Sequence, residues 1–158
     1  MSGCAGTSQP GSSTPASTRS PTPTAVPTAT PKQFASIIAE DETTLRNYYG
    51  SIVDCALADV SKDMASSIKV LTCRTTAQTV TLDAQNMLRD IGKLPKPDPE
   101  VSSLVDRTIA ALTPVAAVNA SFKCKDIQSA ACDAAETAVN GAIRSVVPVL
   151  DAWKPYMQ

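Results

Sequence analysis

This 158-residue chain has cysteines, serines and carboxylates that could carry chemistry, but it contains no histidine. Histidine is the commonest general base and the commonest transition-metal ligand. The serines therefore lack the usual base that would activate them as nucleophiles. The acidic run from Glu40 to Glu42 is expected to be a solvated helix face, since calcium needs oxygen ligands converging from a loop. We expect no catalytic residue, no metal site and no cofactor.

The five cysteines divide into Cys4, close to the N-terminus, and four in the later part of the chain: Cys55, Cys73, Cys124 and Cys132. An even set of four suits two disulfide bonds, which persist outside the reducing cytoplasm. The count therefore predicts an extracytoplasmic location. Four buried free thiols in a cytosolic protein are the alternative.

Cys4 follows Ser2 and Gly3 and precedes a stretch rich in proline, serine and threonine. Met1-Ser2-Gly3-Cys4 resembles the end of the lipobox of bacterial secreted lipoproteins, with Met1 in the place of an aliphatic residue. The resemblance implies lipidation of Cys4, with diacylglycerol on its sulfur, and anchoring to the extracytoplasmic face of the cell membrane. No basic or apolar signal region precedes Cys4, so we expect the chain to be the processed form or its start to lie upstream. A chance cysteine in a flexible arm is the alternative.

Residues 1–30 are predicted to form a disordered Pro/Ser/Thr-rich tether. Between residues 5 and 30 there is almost no large apolar side chain, so this segment cannot bury enough surface to offset its chain entropy. Fully extended, it could hold a domain up to about 80 Å from a membrane. Residues 31–158 are expected to form one domain, which is consistent with their number.

Helix signals divide residues 31–158 into four segments. Thr30, Pro31 and Gln33 form a capping box with proline at the first helical position, and Asp63 and Asp98-Pro99 repeat start signals. The first segment should end near Ser61, the second at Gly92 and the third near Phe122, with Asp126 or Ser129 capping the fourth. The apolar face of the first helix is predicted to comprise Phe34, Ile38, Leu45, Tyr49, Ile52, Ala56 and Val60.

Four predicted helices of similar length indicate an all-α protein, an up-down-up-down four-helix bundle. Cys55 and Cys73 flank the first predicted turn, and Cys124 and Cys132 flank the last. Of the three formal pairings, this topology therefore favours 55–73 with 124–132. Pro114 should bend the third helix, and Pro148 should kink the end of the fourth.

Aromatic residues give one candidate partner or ligand surface. Phe34 at the start of the first helix should meet Trp153 and Tyr156 at the end of the fourth, and Tyr48 lies beside Tyr49, with one ring of the pair expected outside. Packing of these rings in the core is the alternative.

The sequence thus predicts a lipid-anchored helical module that binds an unknown protein or polymer of the cell envelope. A carrier holding a small apolar ligand between helices is the alternative, and an enzyme is not expected. The formal net charge is −1, with acidic and basic residues interspersed. This composition argues against a nucleic-acid partner, and the membrane would be reached through the lipid on Cys4.

Overall fold

The computed structural model describes Met1, Gly3, residues 26–61 and residues 63–158. Cys4 and the greater part of the predicted tether lie outside the described residues. The described part is a helical bundle, as predicted. Its helices are α1 (Pro31–Val60), α2 (Met64–Ile91), α3 (Ser102–Val118), the short α4 (Ala120–Lys123), α5 (Ala130–Ala142) and α6 (Val146–Trp153).

The long helices α1 and α2 begin at the predicted caps. The Thr30 side chain accepts a hydrogen bond from the Gln33 backbone, and the Gln33 side chain accepts one from the Thr30 backbone at 2.8 Å. Asp63 caps α2 by accepting a hydrogen bond from the Ser66 backbone at 2.8 Å. α2 ends at Gly92, ahead of a loop whose prolines cannot continue a helix. The predicted start and end signals of α1 and α2 are confirmed.

The third helix is shorter than predicted at both ends. It begins at Ser102, with Val101 as its N-cap and no side-chain cap, so the predicted start at Asp98-Pro99 is wrong. Asn119 takes a left-handed backbone conformation (φ 50°, ψ 52°) and ends α3 at Val118. Asparagine tolerates this conformation better than most residues, because its short polar side chain reduces the cost. The chain then makes the single turn of α4 before the loop to α5. Pro114 lies inside α3 without ending it.

The fourth predicted helix is divided in two. Ser129 caps α5, as one of the two predicted candidates, and a 3₁₀ turn at Ile143–Ser145 separates α5 from α6. The interruption falls one turn before Pro148, because proline has no N–H to donate to the carbonyl of Arg144 and its ring crowds that carbonyl. The four segments are therefore not of equal length, and the prediction of matched helices is wrong in this respect.

The helices pack antiparallel around a continuous core. α1 contacts α2 along the hairpin, α2 contacts α3, and α6 packs against both α1 and α3. Trp153 is fully buried at the end of the bundle where α1 begins, and its indole N–H donates to Thr108 Oγ1 at 2.8 Å. This end of the molecule has the arrangement of a four-helix bundle.

Both predicted disulfides are present. Cys55 pairs with Cys73 across the α1–α2 hairpin, with a Cα–Cα distance of 5.9 Å. Cys124 pairs with Cys132 across the loop between α4 and α5, with a Cα–Cα distance of 4.4 Å. Each bond therefore closes one helical connection.

The ordered contacts begin before the predicted domain boundary at residue 31. Ala29 is buried; its N–H donates to the Lys96 carbonyl at 2.9 Å, and its carbonyl accepts from the Asp98 backbone at 3.1 Å. The Thr28 hydroxyl also bonds to the Asp98 side chain. The segment leading into α1 is thus fastened to the α2–α3 loop, which fixes where a tether would leave the bundle.

Among the described residues, no helix combines the length and the apolar character that crossing a membrane would require.

Candidate functional site

The second half of α1 lies beyond the part of α1 that α6 covers. At the level of Arg46, α6 packs beside α1, and Arg46 Nη2 lies 2.9 Å from Asp151 Oδ1. On the N-terminal side of the 3₁₀ turn, α5 packs mainly against α2 and α3, and Asp133 reaches Arg74 on α2 at 3.0 Å. The divided fourth helix therefore leaves one side of α1 open from Tyr49 to Val60.

This open side of α1 is apolar. Tyr49 is 43% exposed, Val53 69% and Val60 75%, and Ala56 between them is also exposed. Their spacing of four, three and four residues places all four on one helix face. We call these four residues, Tyr49, Val53, Ala56 and Val60, the α1 stripe. Isolated exposed apolar residues need no explanation, whereas a continuous row on one face is a candidate interaction surface.

The end of the hairpin extends this apolar surface. Leu57 is 60% exposed beside the α1 stripe, and Met64 and Ile68 at the start of α2 are exposed as well. We call residues 53–61 and 63–68 the hairpin tip. The Cys55–Cys73 disulfide joins α1 to α2 near the base of the hairpin tip. The two helices of the tip are therefore held together covalently.

A groove of about 370 Å³ lies where the open side of α1 meets the 3₁₀ turn. Tyr49, Gly50, Ile52, Val53 and Arg144 line it. A methyl group added at Gly50 would meet no atom within 4 Å, so glycine leaves a notch in the helix surface here. The groove is open at the surface, and Arg144 forms part of its wall.

A second groove, of about 260 Å³, runs between α1 and α2 beside the disulfide. Its walls are mostly apolar, and Lys69 lies at one side. Lys69 Nζ is 3.2 Å from Asp54 Oδ2, so its charge is partly compensated by the neighbouring helix. The hairpin therefore carries grooves on two of its sides.

An ionic cluster centred on the buried Arg74 holds α2 to α5. The guanidinium of Arg74 donates to the Ile127 carbonyl at 2.8 Å and lies 3.0 Å from Asp133 and 3.4 Å from Glu136. Burial raises the pKa of the Glu136 carboxyl, and the nearby Arg74 acts in the opposite direction. A single arginine serving several carboxylates and a backbone carbonyl is a structural clamp.

The Glu136 carboxylate also lies close to the sulfurs of Cys55 and Cys73, with the three ligand-type atoms within 4.8 Å of one another. Both sulfurs are bonded to each other, whereas a metal requires a thiolate. In the oxidised protein this group is therefore a packing arrangement around the disulfide.

The aromatic residues proposed from the sequence are for the most part buried. Phe34, Trp153 and Tyr156 do meet, with ring centroids 6.3 Å apart for the first pair and 5.7 Å for the second. Phe34, Trp153 and Tyr48 are nevertheless buried, and only Tyr156 is partly exposed. The burial of Phe34, Tyr48 and Trp153 agrees with the alternative, in which these rings pack in the core, and of the four candidates Tyr156 alone is partly accessible to a partner.

The tyrosine pair divides as predicted, with one ring inside and one outside. Tyr48 is inside, where its hydroxyl donates to Asn140 Oδ1 at 2.6 Å, and burial raises its pKa above the ordinary value. Tyr49 is the exposed ring and lies on the α1 stripe. The predicted core face is therefore wrong at Tyr49, Ala56 and Val60, which are all exposed.

The chain matches no protein-family model, and comparison with curated proteins and with solved structures gives no match. Its function is therefore inferred from its own surface.

Proposed function

We propose that this protein is a lipid-anchored extracytoplasmic module that binds a macromolecule of the cell envelope through the α1 stripe and the hairpin tip. The exposed apolar row at Tyr49, Val53 and Val60 carries the proposal. Solvent-exposed apolar rows weaken solubility and favour association, so a row of this extent is best explained by a partner that covers it.

The location rests on the cysteines. Two disulfides brace the helical connections, and such bonds are retained where the surroundings are oxidising. The lipobox-like residues ahead of Cys4 and the proline-rich segment after it supply an anchor and a spacer. A flexible spacer allows a tethered domain to search for its partner while remaining at the membrane.

The orientation of α1 suits this role. The chain enters the bundle at Ala29, which is fastened to the α2–α3 loop, and α1 then runs about 45 Å to the hairpin tip at 1.5 Å per residue. The candidate binding surface thus lies toward the end opposite the tether. A partner can reach it without competing with the anchor for space.

A binding module is preferred to a carrier because large side chains occupy the centre of the bundle. Phe34, Ile38, Leu112, Leu150 and Trp153 are all buried there with less than 2% of their surface exposed. The grooves of the hairpin, in contrast, are lined by surface residues of α1 and α2. Ligand carriers enclose most of their ligand's surface, which shallow grooves of this kind do not do.

A matched pair of variants tests the binding surface. The full chain, its Val53→Asp variant and its Leu82→Asp variant would each be immobilised and exposed to solubilised native envelope. Leu82 is 43% exposed on α2, far from the tip, so it controls for loss of an exposed apolar residue. We expect Val53→Asp alone to lose the retained component. Equal retention by all three proteins would contradict the proposed surface.

The anchor is tested separately by mass spectrometry of the protein from native membranes. The expected result is a diacylglycerol adduct on Cys4 and release of a Cys4→Ser variant into the soluble fraction. A free Cys4 thiol in membrane-derived protein would refute the anchor and leave the binding surface to its own test.

A further inference from the structure

The residues of the α1 stripe are spaced symmetrically along the helix. Tyr49, Val53, Ala56 and Val60 are separated by four, three and four residues. If a second α1 is laid antiparallel across the first, Tyr49 faces Val60 of the other copy and Val53 faces its Ala56. A patch that pairs with itself about a two-fold axis is what an isologous dimer requires.

We propose that the partner of the α1 stripe is a second copy of this chain, bound antiparallel through the same stripe. This inference rests on the proposed function, because it names the occupant of the same surface. The small side chain of Ala56 near the two-fold axis permits close approach of the helices. The notch at Gly50, where added atoms would meet nothing within 4 Å, offers space beside Tyr49 for a side chain of the other copy.

The charges at the two ends of the stripe are complementary in this arrangement. Arg144 lies at the Tyr49 end, in the wall of the groove, and among the described residues it has no ion-pair partner within 4 Å. Asp59 and Asp63 lie at the Val60 end, where Asp59 is 56% exposed and 3.7 Å from Arg74 and Asp63 caps α2 through Ser66. An antiparallel pair brings each arginine toward the acidic end of the other copy, whereas a parallel pair would place like ends together.

Two other occupants fit less well. Residues 4–25 contain no valine, leucine, isoleucine, methionine or aromatic residue, so the chain's own N-terminal segment cannot cover an apolar stripe. A membrane containing anionic lipid is not strongly attracted either, because the charged residues of this surface cancel in number: Asp54, Asp59 and Asp63 are matched by Lys62, Lys69 and Arg144. A second copy brings both the apolar side chains and the matching charges.

The stripe is small compared with stable interfaces, which bury about 800 Å² on each partner. We therefore expect a weak dimer, with a dissociation constant on the order of 10–100 μM in solution. Anchoring both copies to one membrane would raise their effective concentration and favour the dimer. The starts of the two α1 helices would lie about 70 Å apart at 1.5 Å per residue, a distance that two N-terminal segments of 30 residues each are long enough to span to one surface.

Sedimentation velocity over a range of about 1–300 μM, spanning the expected dissociation constant, tests the dimer. The full chain would carry Cys4→Ser to remove a free thiol. We expect a concentration-dependent shift to twice the mass, and at least about a 100-fold weaker association for Val53→Asp. Leu82→Asp is the matched control and should dimerise like the parent. Because Val53 is 69% exposed, circular dichroism should show all variants equally folded.

The register is tested by Tyr49→p-benzoylphenylalanine. Irradiation should cross-link position 49 to the peptide of the other copy that contains Val60. A parent that stays monomeric over the full range, a dimer unaffected by Val53→Asp, or a cross-link to the other copy's own position 49 would overturn the antiparallel dimer. If the parent is monomeric while Val53→Asp still loses the envelope component, the dimer is wrong and the proposed function stands.

Discussion

Removing the Cys55–Cys73 disulfide should cost more stability than removing Cys124–Cys132. The first bond closes a separation of 18 residues and the second a separation of 8. The chain-entropy relation gives about 3.2 kcal/mol for the longer loop and about 2.5 kcal/mol for the shorter one. A loss of about 3 kcal/mol corresponds to a decrease in Tm of roughly 6–12 °C for a chain of this size.

The two double variants, Cys55→Ser with Cys73→Ser and Cys124→Ser with Cys132→Ser, would be compared in urea by circular dichroism. All four cysteines are buried, so both pairs lose similar packing and the difference between them reports loop closure. The reasoning is refuted if the 124–132 variant is the less stable of the two. It is also refuted if loss of 55–73 costs less than about 1 kcal/mol.

Three further changes have defined outcomes. Gly50→Ala should stabilise the fold by about 0.5–1 kcal/mol in urea unfolding, because the site is helical and open. Thr108→Val should cost about 1–3 kcal/mol, measured by fluorescence of the single tryptophan, because the buried Trp153 N–H loses its acceptor; the exposed Thr113→Val should change little. Burial, then Glu40 and Asp90, raise the pKa of Asp41, so Asp41→Asn should increase the free energy of unfolding at pH 7, as measured in urea. A carboxyl whose pKa is raised in the folded state destabilises the fold as the pH rises through that pKa. The gain in unfolding free energy from Asp41→Asn should therefore disappear at lower pH, where the carboxyl of the parent is protonated. A gain that stays constant with pH would contradict the raised pKa as its cause.

The hairpin could be predicted from the sequence because its signals are local. A capping box at Thr30, an aspartate cap at Asp63 and Gly92 followed by prolines each act within one turn of the chain. The cysteine pairing followed from the same signals, since placing the turns brought each pair together. Local chemistry was thus sufficient for the class of fold and for the disulfides.

The end of α3 and the division of the fourth helix were predicted less well, because several weak signals compete there. Asn119 ended α3 in a left-handed conformation, although apolar residues continue to Phe122. Pro148 was recognised as a kink, but its effect falls on the preceding turn, where the missing N–H would have bonded. The residue that breaks a helix and the place where the helix breaks are one turn apart.

That displacement explains why the candidate site was missed. Helical periodicity shows that Tyr49, Ile52, Ala56 and Val60 share a face, but it cannot show whether another helix covers the face. Coverage depends on where the fourth helix turns away from α1. One sequence signal was available. Val53 and Leu57 lie outside the predicted core face and are apolar as well. The second half of α1 is therefore apolar around more of its circumference than one bundle can bury.

Because Val53 and Leu57 are exposed, replacing both by glutamine should leave the unfolding free energy within about 0.5 kcal/mol of the parent, as measured in urea. A loss of several kcal/mol would show that this face is covered within the single chain.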